Sequence, residues 1–188
     1  MNPKLNLMVA VCENMGIGVK NDLPWRLKTE MAYFTKMTLS TNDENKKNIV
    51  IMGRRTWDSI PPKFKPLSNR INFVLSRSNL DLEKYGNTYG FKSFEDCMSK
   101  LQDEKFQNEY ETIWVIGGSH IYKEAMNSKY YYRLYLTRVL KHFECDTFFP
   151  NLGNNLEEIS VPDVPQGVQE ENGIQFTYHV YQNINYKE

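Results

Sequence analysis

The chain has 188 residues, 40% hydrophobic and 24% charged, with 23 cationic and 23 acidic side chains for a formal net charge of zero. That length suffices for one domain burying roughly 70% of its unfolded surface, and the composition excludes a disordered or fibrous chain. Zero net charge argues against a general affinity for nucleic acid or anionic membrane, and Cys12, Cys97 and Cys145, with no CxxC pair, against a disulfide framework or a cysteine-based zinc site.

The apolar run Leu7 to Cys12 is too short for a bilayer span and lacks the form of a signal peptide. With the unpaired cysteines it points to a reducing, cytoplasmic setting.

In chain order, LNLMVAV (5–11) reads as a buried strand, followed by a glycine-bearing loop and a helix from about Leu27. IVIM (49–52) is a short β-branched strand that stops at Gly53, and RRTWDSI is a short helix closed by Pro61 and Pro62. INFVLS (71–76) is a third strand and TYGF (88–91) a weaker fourth. SFEDCMSKLQDE (93–104) reads as a helix with Ser93 as N-cap. IWVIGG (113–118) is the clearest strand, with a helix from Ser119 to Asn127 after it. YRLYLTRVL (132–140) and IQFTYHVYQ (174–182) alternate more cleanly, as strands with one wetter face do. Helices between buried strands predict an α/β fold with a mostly parallel sheet and antiparallel pairing at its C-terminal end. No repeat, low-complexity tract or linker divides the chain, so one domain over 1–188 is expected.

One side chain disturbs this pattern. Read as a helix, Leu27, Met31, Phe34 and Met37 form one apolar stripe, and Glu30 lies on it. One reading makes Glu30 a half-exposed acid turned toward Lys28 or a loop. The other makes it a carboxylate on the floor of an apolar cleft, facing a cationic or amide-like ligand, its pKa raised by desolvation. Spacing leaves both open.

Three strands end in small or cationic residues: Gly53-Arg54-Arg55-Thr56, Ser76-Arg77-Ser78 and Gly117-Gly118-Ser119. Open parallel sheets bind ligands beyond the carboxyl ends of their strands, and helix N-termini there favour anions. Residues 49–78 also carry six cations against Asp58 alone. A nucleotide with separate phosphates would fit. The Walker pattern is absent, and Asn21 occupies the third glycine position of a dinucleotide fingerprint begun at Gly16-x-Gly18. His120, His142 and His179 lack metal-ligand spacing, so no metal site is expected, and no GxSxG elbow marks a serine hydrolase.

The segments NLMVAV, NMGIG, DLPW, NIVIMGRRTW, SIPPKFKPL, RINFVLSR, IWVIGGSHIY and CDTFFP, in this order along nearly the whole chain, resemble the dihydrofolate reductase family in its short animal form, without a fused thymidylate synthase. The resemblance implies an eight-stranded mixed sheet flanked by helices. It also implies NADPH-dependent reduction of dihydrofolate to tetrahydrofolate, a step of one-carbon metabolism. The sequence itself shows no sticky helix or long exposed apolar edge, so a monomer needing no nucleic acid or membrane is expected.

By position, the resemblance makes Glu30, Trp25, Leu23, Thr137 and Tyr122 the catalytic set, with Glu30 holding the pterin and Trp25 an ordered water. Met8, Val9, Ala10, Leu23, Met31, Phe34, Thr35, Ser59, Ile60, Pro61, Phe64, Leu67, Ile116, Tyr122 and Thr137 would surround the substrate, and Arg70 would clamp its glutamate carboxylate. The cofactor would meet Ala10, Ile116, Ile121, Tyr122, Gly53 and Leu75, with Gly16, Ile17, Gly18, Asn21 and Asp22 from a closing loop over residues 13–22. Arg54, Ser76, Arg77 and Lys92 would surround its 2′-phosphate, Arg55, Thr56, Gly118, Ser119 and His120 would take its pyrophosphate, and Ser78 would also meet the cofactor. Gly117–Gly118 matches the family's cis peptide. This chain departs from vertebrate members by Arg26 in place of two prolines, Met31 for Phe, Thr35 for Gln, Phe64 for Asn and His120 for Ser. Two alternatives fit less well. A reductase for another heterocycle would have less use for Arg70, and a nucleotide- or RNA-binding module would call for an aromatic-basic surface.

Overall fold

The computed structural model describes residues 2–188. The first strand, β1 (Leu5–Val11), is apolar on both faces: Leu5, Leu7, Val9 and Val11 join one core and Met8 the other. A short strand β2 (Gly16–Gly18) precedes the helix α1 (Lys28–Leu39), and β3 (Lys47–Gly53) leads directly into α2 (Arg54–Ser59). Next come β4 (Ile71–Leu75), β5 (Thr88–Phe91) and α3 (Phe94–Leu101), whose cap Ser93 accepts the Asp96 N–H at 3.1 Å. The helix expected over 93–104 is divided. Asp103 accepts the Lys105 N–H at 3.0 Å and so starts a separate turn, α4 (Glu104–Gln107).

β6 (Tyr110–Gly117), α5 (Ser119–Met126) and β7 (Tyr131–Val139) agree with the sequence reading to within a few residues at their ends. The chain closes with β8 (Thr147–Phe148), β9 (Leu156–Ile159), β10 (Val168–Glu171) and β11 (Ile174–Asn183). The sequence reading missed β2, β8, β9 and β10. Segments of two to four residues such as LEEI and VQEE carry too little apolar alternation to register.

The main sheet runs in the order β10-β11-β7-β1-β6-β3-β4-β5. The six strands from β7 to β5 are parallel, whereas β11 is antiparallel to both β7 and β10. The expected eight-stranded mixed sheet is therefore present, and β9 adds a ninth strand beside the second half of β11. Leu7, Phe73, Leu101, Ile121 and Leu134 pack in the core on one face; Met8, Trp25, Tyr33, Trp57 and Tyr178 pack on the other. Burial on both faces explains why the parallel strands read as continuous apolar runs.

Register sets the position of the site. Gly53 pairs with Leu75, Met52 with Gly117, and Leu75 with Phe91, so the ends of β6, β3, β4 and β5 lie side by side. On the other side, Ala10 pairs with Thr137, and Thr137 with Tyr178. No helix among the described residues is long and apolar enough to cross a membrane.

Candidate active site

A cleft of about 3170 Å³ opens at the carboxyl ends of the parallel strands, bordered by α1, the start of α2 and the first turn of α5. Pockets for a single small ligand are typically about 300–1,000 Å³, so this one has room for two molecules. Every residue expected at the site from the sequence lines it except Thr137 and Gly16. Thr137 is fully buried behind the floor. Gly16 is also buried, and a Cβ there would collide with the Cys145 side chain, so packing explains this glycine and it does not face the cleft.

Glu30 sits in the first turn of α1, 7% exposed, and its Oε1 accepts a hydrogen bond from Thr137 Oγ1 at 3.0 Å. The half-exposed alternative is thereby removed. Burial holds the Glu30 carboxyl above its ordinary range, and the Thr137 hydroxyl pulls the other way. Three phenols, Tyr33, Tyr122 and Tyr178, lie within reach of its charge, and burial raises their pKa values first of all. Tyr122 donates its hydroxyl to the Met8 carbonyl at 2.7 Å, which commits its one proton to the protein frame. Trp25 Nε1 is a buried donor with no hydrogen-bond partner among the described residues.

The apolar stripe is shared between core and cleft: Leu27 is buried in the core and Met37 packs against it. The buried residues of α1 are Glu30, Tyr33 and Thr38, whereas Met31 is 47% exposed and Phe34 only half-buried, and both line the cleft. Ile60, Pro61, Phe64 and Leu67 form part of the same lining. Farther along, Arg70 is buried, donating from Nη1 to Thr38 Oγ1 at 2.9 Å and from Nε to the Ser68 carbonyl at 3.0 Å. No carboxylate lies within ion-pairing distance of it among the described residues. Desolvation lowers its pKa. A buried guanidinium without an acid is costly unless an anion meets it.

The other end of the cleft is cationic and open. Arg54 donates to Ser78 Oγ at 2.6 Å and lies 3.5 Å from the Asp58 carboxylate, while the Ser76 and Ser78 hydroxyls are 3.2 Å apart. Arg55, Arg77 and Lys92 are exposed and form no ion pair among the described residues. The Gly117–Gly118 peptide is cis, and Gly117 has φ of 129°. A side chain at Gly117 would press on Thr56 Oγ1 at 3.2 Å as well as adopt a disfavoured backbone angle. His120 lines the cleft, but its imidazole Nε2 lies 2.7 Å from Glu124 on its own helix.

The segment 13–22 is tied down by β2 pairing with β8, by Lys20 N–H donating to Asp146 at 2.9 Å and by Phe149 N–H donating to the Met15 carbonyl at 2.9 Å. Arg26, the residue that departs from the vertebrate pattern, binds the rim turn together. Its guanidinium donates to the Leu23 carbonyl at 2.9 Å, to the Trp25 carbonyl at 3.2 Å and to Asp22 at 2.7 Å. This contact and those of Lys20 and Thr38 lie outside the set read from the sequence. Only Arg26 left a trace there, as an unmatched residue in DLPWR.

A family described as dihydrofolate reductase matches the chain over residues 4–183. The chain is 44% identical over 178 residues to the dihydrofolate reductase of Drosophila melanogaster, covering 94% of this chain and 96% of that protein. It is 45% identical over 184 residues to that of Bos taurus, covering 96% and 98% respectively. Among solved structures, Schistosoma mansoni dihydrofolate reductase superposes with a TM-score of 0.85 at 38% identity, over 97% of this chain and 100% of that one. The acid on the cleft floor, the cationic strand ends and these likenesses agree: the chain belongs to the dihydrofolate reductase family.

Proposed function

We propose that the chain reduces 7,8-dihydrofolate to 5,6,7,8-tetrahydrofolate with NADPH in this cleft, with Glu30 holding the pterin and Arg70 the glutamate tail. The observation that carries the reading is two buried, opposite charges in one cleft. The acid is bonded to Thr137, and the guanidinium has no acid of its own. Dihydrofolate presents a ring N–H and a 2-amino group at one end and a carboxylate at the other, which suits both. Met8, Leu23, Met31, Phe34 and Ile60 supply apolar walls for its flat rings.

The strand-end donors fit the cofactor. Arg54, Ser76, Arg77 and Lys92 suit a 2′-phosphate, and Arg55, Thr56 and the Gly118–His120 turn a pyrophosphate. When bound, NADPH supplies the hydride for pterin C6. The protein orients the substrate and manages the proton. Glu30, its pKa raised, assists protonation of N5 through a water that Trp25 Nε1 is placed to hold. Thr137 fixes the carboxylate, and Tyr122, anchored on Met8, forms a rigid wall. The segment 13–22 and Leu23 close the nicotinamide side against water.

We infer also that residues 1–188 act as one domain, as a cytoplasmic monomer. The continuous main sheet and the three free cysteines support that reading. The test is the near-ultraviolet absorbance of NADPH with and without dihydrofolate. Dihydrofolate-dependent loss of absorbance is expected, and its absence in folded protein would overturn the assignment.

A further inference from the structure

Helix α1 carries Glu30 but begins without a cap of its own. Its N-cap is Leu27, which has no side-chain acceptor, and the first N–H groups of any helix lack partners within it. The acceptor comes from the far end of the chain. Glu171 Oε2 accepts the Lys28 N–H at 2.7 Å, and Oε1 accepts the Thr29 N–H at 2.7 Å. Both oxygens of one carboxylate are thus used on consecutive amides, at the helix end where the macrodipole favours negative charge.

The support for this carboxylate is stiff. Glu171 is the last residue of β10 and pairs with Ile174, the first of β11. The two residues between them, Asn172 with φ of 53° and Gly173 with φ of 76°, form a two-residue hairpin turn of the kind Asn-Gly favours. Farther along β11, Tyr178 pairs with Thr137, whose hydroxyl donates to Glu30. The sheet therefore holds the first turn of α1 at two points: the backbone through Glu171 and the side chain of Glu30 through Thr137.

We propose that Glu171 is a positioning residue for substrate recognition, a remote cap that fixes the first turn of α1 and so sets where the Glu30 carboxylate stands on the cleft floor. The inference rests on Glu30 being the group that holds the pterin. Glu171 reaches the substrate only through that turn. The cofactor end is built instead from the ends of β3, β4, β5 and β6, which Glu171 does not touch. The backbone N–H of Thr29, followed by its side chain and the N–H of Lys28, holds the Glu171 carboxyl below the ordinary range, in keeping with a charged cap.

The experiment compares dissociation constants for dihydrofolate and for NADPH, read by tryptophan fluorescence, in wild type, Glu171→Ala and Glu171→Gln. Glu171→Ala should weaken dihydrofolate by about tenfold while NADPH stays within about twofold, because only the pterin is held from the first turn of α1. Glu171→Gln keeps reach and one acceptor oxygen but loses the charge, and should fall between; it also serves if the alanine variant does not fold. Hydrogen exchange should show faster opening of the amides of residues 28–31 in both variants. In a Glu30→Gln background, Glu171→Ala should cause little further loss of dihydrofolate affinity, because its route to the substrate is gone. Equal weakening of both ligands, or an undiminished effect without Glu30, would show a general structural role and overturn the proposal. A wild-type protein that oxidises NADPH with dihydrofolate while Glu171→Ala binds dihydrofolate unchanged overturns the proposal alone. A wild-type protein without that activity overturns the reading of Glu30 and the proposal with it.

Discussion

At the substrate end of the cleft the charges are few and hidden: Glu30 is 7% exposed and Arg70 5%, each held by neutral partners. At the cofactor end Arg54, Arg55, Arg77 and Lys92 are all exposed, and only Arg54 lies within ion-pairing distance of an acid among the described residues. Desolvation makes each buried charge count heavily and leaves it no substitute. Exposed cations act through summed, screened attraction and share the load. One end recognises a particular donor and acceptor pattern; the other attracts a polyanion and holds it at several points.

The largest expected effect breaks the buried end. Glu30→Gln keeps shape but cannot carry the proton, and general acid–base groups contribute about 10²–10⁴-fold, so turnover at neutral pH should fall by that order. Circular dichroism should show the fold retained. Nearly unchanged turnover would remove Glu30 from the mechanism.

Arg70→Leu comes next. A hydrogen bond to a charged group contributes about 1.5–3 kcal/mol, so the KM for dihydrofolate should rise about tenfold to a hundredfold with kcat little changed. A dihydropterin without a glutamate tail should be handled alike by variant and wild type. If the variant also lost tailless substrate, Arg70 would be acting on the cleft wall through Thr38 rather than on the tail.

A single change at the exposed end should do less. Arg77→Ala should weaken NADPH by about tenfold and NADH hardly at all, because Arg54 and Lys92 remain beside a 2′-phosphate that NADH lacks. Added salt should weaken NADPH binding in wild type and shrink the difference between wild type and variant, while leaving the Glu30→Gln defect in place. Equal weakening of the two dinucleotides would contradict the 2′-phosphate assignment.

The two ends also differ in how well the sequence announces them. Gly53, Ser76 and Gly117 each sit where a strand run stops and a turn begins, so the cationic turns are legible from local pattern, and parallel pairing brings them together. Glu30 is legible only as a contradiction, an acid among Leu27, Met31 and Phe34. Periodicity records which side chains are apolar but not whether protein or ligand covers them, and here Met31 and Phe34 wall a cleft. The bond from Thr137 to Glu30 spans 107 residues and depends on the register Ala10↔Thr137, which no local pattern encodes. Glu171 is the same case: Asn172-Gly173 marks a hairpin turn, but nothing in VQEENG says that its acid caps a helix 142 residues earlier.

The finest test of the buried end is Thr137→Val, which removes the one hydroxyl favouring charged Glu30. Burial already raises the Glu30 pKa above its ordinary value of 4.5, so the native state binds that proton more tightly than the unfolded chain does. The contribution of Glu30 to stability is then fully present below that ordinary value and is lost as pH rises through the folded value. Thr137→Val should raise the folded value further, because the hydroxyl that favours the charged form is gone, and carry the alkaline limb of the kcat profile upward with it. Glu30→Gln, having no proton to lose, should escape the loss altogether. Melting temperatures of the two variants should therefore differ least in acid and diverge as pH rises, with Glu30→Gln the more stable at neutral pH. A limb that moved downward in Thr137→Val would mean that the hydroxyl serves the protonated acid and that Glu30 enters the reaction in the opposite state.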